Sequence, residues 1–113
     1  MAGSLAVALF LSRLKALIRD RKLVFQPRNR RKTWEFMLRE GLTEEDIFDV
    51  IACLEAKHYY KGPSPDDDGS SGDVMAFLYP YQNTRLYIKL KVWADAQGDA
   101  GVVMSFHEEE KYE

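Results

Sequence analysis

Between Arg85 and Trp93 the chain alternates strictly, with Leu86, Ile88, Leu90 and Val92 on one side and Arg85, Tyr87, Lys89, Lys91 and Trp93 on the other. A period of two is that of a half-buried strand. Two further alternations flank it. Val74, Ala76 and Leu78 interleave with Met75, Phe77 and Tyr79 up to Pro80, and after a turn at Gly98 to Gly101 comes Val102-Val103-Met104-Ser105-Phe106-His107. With short connections such as Gln82-Asn83-Thr84, the three runs predict an antiparallel meander. Its core face is expected to hold Val102, Met104 and Phe106 beside Leu86, Ile88 and Leu90. Ser105 and His107 then fall near Tyr87 and Lys89 on the opposite face.

Upstream the apolar period lengthens to that of a helix. Val7, Leu11, Leu14, Leu17 and Ile18 recur behind Ser4, a plausible N-cap, with Ser12, Arg13, Lys15 and Arg19 on the other side. The uncharged run Leu5 to Leu11 reads as the first part of this buried helix. Leu23-Val24-Phe25 reads as a short extended piece stopped by Pro27. The basic run Arg28-Asn29-Arg30-Arg31-Lys32 leads into a second helix, about Lys32 to Glu40, that presents Trp34, Met37 and Leu38; Gly41 is placed to end it in a left-handed cap. Thr43-Glu44-Glu45-Asp46 has the spacing of a capping box ahead of Ile47, Val50, Ile51 and Leu54. The stretch from Ser64 to Gly72, with three adjacent acids, reads as a flexible loop whose charges repel one another. The expectation is a single α+β domain over 1–113: two or three N-terminal helices (4–61), a flexible loop (62–72) and a small three-stranded antiparallel sheet (73–108), with Glu108-Glu109-Glu110 as a solvated end.

Composition changes this picture in one respect. The formal net charge of -2 conceals an asymmetry, since residues 1–40 carry ten Lys or Arg against three acids and the remainder six against fifteen. A segregated basic half suits a polyanionic partner, although two surfaces that attract each other within the fold would also produce it. The single Cys53 allows no internal disulfide, and one cysteine with two histidines makes no zinc spacing, so a cytoplasmic location without a metal site is expected. Leu5 to Leu11 is far below the roughly 20 residues needed to cross a bilayer, and no membrane association is expected.

Cations interleaved with aromatic rings can hold phosphates by charge and bases by stacking, although a merely solvated sheet face has the same pattern. Metal-free RNA cleavage needs a group to take the 2′-hydroxyl proton, cations to stabilise the charge developing on phosphorus, and a donor for the leaving 5′-oxygen. Lys61, Tyr87, Lys89 and His107 can supply these parts on one face, with Arg85, Tyr79 and Tyr60 as substrate contacts and no cofactor. Histidine exchanges protons near neutrality, but a lone histidine near a chain end is also a common surface residue, and His58 on a short helical turn is a weaker candidate. Two other classes remain open: a non-catalytic RNA- or DNA-binding module using the same face, and a protein-interaction subunit working through the Leu5 to Leu11 helix or a sheet edge.

The succession of a basic helix, a capped helix, Tyr59-Tyr60-Lys61, a polar loop, Tyr79-Pro80, Leu86-Tyr87-Ile88-Lys89 and Val103-Met104-Ser105-Phe106 resembles the MqsR family of bacterial toxins, from about Leu11 to Glu108. That resemblance implies a RelE-like fold, ribosome-independent cleavage of single-stranded mRNA, and neutralisation by a cognate antitoxin, itself expected to bind DNA. By position the family's lysine after an aromatic falls on Lys61 and its strand tyrosine on Tyr87. Its glutamine, five residues before the proline of the first strand, falls on Met75, and the lysine after the closing Ser-Phe falls on His107. These two departures bear on the sequence recognised, on the site geometry and on which group carries protons.

Overall fold

The computed structural model describes residues 4–28 and 30–109; Asn29 of the basic run and Glu110 of the acidic tail lie outside them. Helix α1 (Ser4–Arg19) leads to strand β1 (Leu23–Phe25), then α2 (Arg30–Glu40), α3 (Glu44–Ala52), a 3-10 turn at Ala56–His58, and strands β2 (Tyr59–Ser64), β3 (Asp73–Tyr81), β4 (Thr84–Asp95) and β5 (Gly98–Glu108). The strands form one sheet in the order β1-β5-β4-β3-β2. All neighbours are antiparallel except β1, which runs parallel to β5 with Val24 opposite Val102. The α+β class and the β3-β4-β5 meander are as expected, but the sheet is mixed and five-stranded rather than antiparallel and three-stranded. The extended piece Leu23-Val24-Phe25 is found as β1, too short at three residues to be assigned to the sheet beforehand, whereas β2 was not expected because Tyr-Tyr-Lys-Gly-Pro-Ser does not alternate, its register slipping twice against β3.

One apolar cluster joins helices to sheet. Val7, Phe10, Leu11, Leu14 and Leu17 of α1, Phe36 and Met37 of α2, and Ile47 and Ile51 of α3 pack with Met75, Phe77, Leu86, Ile88, Leu90, Val92, Val103 and Phe106. The capping box on α3 is formed: the Thr43 hydroxyl accepts from the Asp46 N–H, and the Asp46 carboxylate accepts from the Thr43 N–H at 2.8 Å. Gly41 (φ 68°) ends α2 in the left-handed region, with the Leu42 N–H donating to the Met37 carbonyl at 2.9 Å.

Several finer expectations are corrected. The α2 core stripe is Thr33, Phe36 and Met37, while Trp34 and Leu38 face outward. Leu5 and Leu9 of α1 are exposed, so the apolar run is not buried all round. In β5 an irregularity shifts the register between Lys89 and Leu90, so Leu90 sits opposite Val103 and Lys91 opposite Val102. A bulge of this kind flips every following side chain. Val103 is therefore the core residue, and Val102 shares a face with Lys91. Finally, the acidic tail is not merely solvated: Glu109 pairs with Arg85, and Glu108 with Arg39.

Candidate functional site

Because side chains directly opposite each other across strands share a face, the face away from the helices can be read in rows. Lys61 of β2, Ala76 of β3, Lys89 of β4 and Ser105 of β5 make one row; Leu78, Tyr87 and His107 make the next. On β2 two residues span one step of β3 between Tyr59 and Lys61. Tyr60 is the extra residue of that bulge, and its ring reaches Tyr87 edge-on at 6.4 Å. Two consecutive residues, Tyr60 and Lys61, thus serve the same face. Gly62 follows because nothing larger fits: its φ is 115°, and a Cβ there would stand 2.6 Å from the Val74 carbonyl oxygen.

Tyr87 and His107 are the centre of the face. Their rings lie 5.6 Å apart and 31° from parallel, both partly exposed. His107 Nδ1 is 2.8 Å from the Glu108 carbonyl oxygen. A carbonyl only accepts, so Nδ1 carries a proton and Nε2 of the neutral ring keeps its lone pair. Burial lowers the His107 pKa, and the positive charge of Lys32 on α2 lowers it further. At neutral pH this ring is therefore an unprotonated acceptor. Among the described residues no hydrogen-bond partner engages the Tyr87 hydroxyl, and neither Lys61 nor Lys89 is paired with an acid. Lys61 Nζ lies 5.7 Å from the Tyr60 ring centroid.

Of the residues selected from sequence, Tyr60, Lys61, Tyr87, Lys89 and His107 come together. Arg85 stands at the rim of the same face, but its guanidinium is committed to Glu109, with two contacts at 2.8 Å. Tyr79 is not with them: it lies opposite Leu86 on the helix side, its ring 4.9 Å from His58. His58 is buried there and structural, since its Nδ1 accepts from the Glu55 N–H at 2.9 Å and burial lowers its pKa. Met75 also faces the core, 1% exposed and opposite Leu90, so its lack of polar chemistry does not bear on the open face. The β3 position beside Lys61 and Lys89 is Ala76.

One end of the face is closed by a loop that no local pattern in the sequence announces. Lys91, next in the cationic row of β4, is buried under the loop that follows β2. Asp66, the first of the three adjacent acids, has no exposed side-chain surface and takes both Nη atoms of Arg28 at 2.6 Å and Lys91 Nζ at 2.7 Å. These cations, Arg28 foremost, hold its carboxyl far below the ordinary range. Asp68 adds a contact to Arg28 at 3.1 Å, and Ser70 accepts from Lys91. The acids do not repel one another in a flexible loop; two of them are pinned by cations drawn from distant parts of the chain. The signal was present in Arg28 and Lys91, but pairing over 38 and 25 residues has no local pattern.

A mixed sheet covered by helices on one side, with cations and aromatic rings around a Tyr-His pair on the other, defines an α+β protein with an open polar face. Residues 8–108 match the family described as motility quorum-sensing regulator, toxin of MqsA, and the chain belongs to that MqsR toxin family. Membership makes it a toxin of a toxin–antitoxin system, with an antitoxin of the MqsA type as its partner. No curated protein and no solved structure matches the chain. Among the described residues no helix is long and apolar enough to cross a membrane, and no group of His, Cys, Asp and Glu is arranged to hold a metal ion.

Proposed function

We propose that this protein is an endoribonuclease toxin that cleaves single-stranded mRNA on the open face, by attack of a 2′-hydroxyl on the adjacent phosphorus. The observation that carries the reading is the Tyr87–His107 pair standing beside two cations, Lys61 and Lys89, that no acid among the described residues neutralises. His107 Nε2 takes the 2′-hydroxyl proton as the O2′–P bond forms. Lys61 and Lys89 stabilise the charge growing on the phosphoryl oxygens. The P–O5′ bond breaks, and the 5′-oxygen leaves with the proton of the Tyr87 hydroxyl, which the adjacent His107 then restores. The products are a 2′,3′-cyclic phosphate and a 5′-hydroxyl, and water is not consumed. Tyr60, exposed and edge-on to Tyr87, offers a stacking surface for a base beside the cleaved bond.

No divalent metal enters these steps. The site of action is the cytoplasm, where mRNA is found, and the neutralising partner is a DNA-binding antitoxin encoded nearby. The test is cleavage of a long single-stranded RNA in the presence of EDTA, with end-group analysis of the products; strict dependence on a divalent metal would remove this mechanism. A non-catalytic binding module predicts salt-dependent retention of intact RNA instead.

A further inference from the structure

The row of cations along β4 does not end where the open face ends. Lys91 lies on the same side as Lys89 and Tyr87, opposite Val74 and Val102, yet its side chain is 7% exposed. What covers it is the loop after β2, pressed flat against the strand: a Cβ at Gly72 would stand 2.9 Å from the Trp93 Cβ and 3.0 Å from the Lys91 Cε. Inside that cover, the Asp66 carboxylate receives two guanidinium N–H groups of Arg28, the Lys91 ammonium and the Asp68 backbone N–H at 3.2 Å. A planar guanidinium fork, an ammonium and a backbone amide are the donor set that proteins use for a phosphate. Here that set is filled by the chain's own carboxylate.

We infer that Asp66 is an internal stand-in for a phosphate, and that the loop it anchors ends the RNA-binding face at Lys89 by withholding Arg28 and Lys91 from the substrate. The inference rests on the RNA-cleaving reading and adds a specificity determinant to it. The strand of RNA runs over Tyr60, Lys61, Tyr87, Lys89 and His107 and stops at the loop. With Asp66 discharged, Lys91 loses its buried counterion, the loop lifts, and two more cations become available at the end of the groove.

The experiment measures binding of a single-stranded 2′-O-methyl RNA, which has no attacking hydroxyl, as a function of salt. Each phosphate neutralised on a single strand contributes about -0.7 to the slope of log affinity against log salt, so Asp66→Asn should steepen the slope by about 1.4. It should also lengthen the oligonucleotide at which affinity stops rising. Asp67→Asn makes the same change of charge one residue away, on an exposed acid, and should leave the slope within 0.3 of the wild-type value, well under half the contribution of one phosphate. Asp66→Asn combined with Arg28→Gln and Lys91→Gln should return it to wild type. Should Asp66→Asn fail to fold, Asp68→Asn, which weakens the outer contact of Arg28 and the hold on Ser70 that in turn touches Lys91 while leaving Asp66 in place, should steepen the slope by roughly half as much. Unchanged slopes in both Asp66→Asn and Asp68→Asn, with wild-type protein binding and cleaving RNA, overturn this inference alone. Wild-type protein that neither binds nor cleaves RNA overturns the function on which it rests as well.

Discussion

Tyr87 and His107 face each other across the β4–β5 ladder with ring centroids 5.6 Å apart. The geometry follows from the backbone rather than from either side chain: the pair lies on the His107 side of the β5 bulge, so both point away from the helices. The carbonyl of Glu108, 2.8 Å from Nδ1, fixes the tautomer and turns Nε2 into the free acceptor. A tyrosine hydroxyl and an unprotonated imidazole held side by side form a donor and acceptor suited to moving one proton in each direction.

The pH dependence follows from the direction of the His107 shift. Burial first, and then the charge of Lys32, lower its pKa below the ordinary value of about 6.5. The active, neutral form therefore predominates at pH 7, and kcat/KM should fall on the acid side with a midpoint below about 6.5. His107→Gln should abolish that acid limb and lower the rate about 100- to 10,000-fold, with little change in folding. The same shift makes the folded state bind fewer protons than the unfolded chain, so this group lowers stability as pH drops through the unfolded value of about 6.5.

Tyr87→Phe removes only a hydroxyl that no described residue bonds. It should cost about 100-fold or more in cleavage rate while thermal melting stays unchanged. Lys61→Ala and Lys89→Ala should each lower kcat by roughly 10² to 10³, the usual effect of losing one group that stabilises transition-state charge. Single-turnover cleavage at saturating enzyme separates this loss from weaker binding.

Met75 and Ala76 exchange the roles that counting back from Pro80 assigns. Met75→Gln would bury an amide without a partner against Leu90 and should destabilise the fold by about 1–3 kcal/mol with no gain in activity. Ala76 is also 1% exposed, but it lies on the other face between Lys61 and Lys89, where a longer amide can reach the two cations, so Ala76→Gln should cost only the crowding, about 1 kcal/mol. Denaturant melts of the two variants decide the assignment; equal tolerance at both positions would contradict the register of β3.

What could be read from sequence was what repeats locally. The alternation of β4, the capping box at Thr43 and the Gly41 cap each rest on neighbouring residues, and each is found in the structure. The pairing of Tyr87 with His107 was within reach because a meander of short connections fixes which faces meet. Bulges were not legible, since a one-residue slip leaves no mark on composition; this is why Val102 was placed in the core. Tyr79 was misplaced for a related reason, as both faces of β3 are apolar and its tyrosine sits one position off the open row.

The Asp66 clasp has an acid signature of its own. Its carboxyl is held below the ordinary range by Arg28 and then Lys91, so its contribution to stability is complete above the unfolded value of about 3.9 and is lost as pH falls through the lower folded value. Wild type should therefore exceed Asp66→Asn in stability near neutral pH and lose that advantage progressively in acid, read from the fluorescence of Trp93 beside the loop. Identical acid profiles would mean that the clasp contributes nothing to the fold.

The most direct test of the account is cleavage of a long single-stranded RNA by wild type, Tyr87→Phe and His107→Gln, with EDTA present, across pH 5 to 9. Wild type should leave 2′,3′-cyclic phosphate ends and show an acid limb below about pH 6.5, and both folded variants should lose activity. Full activity in both, or no cleavage by wild type without a metal ion, would contradict it.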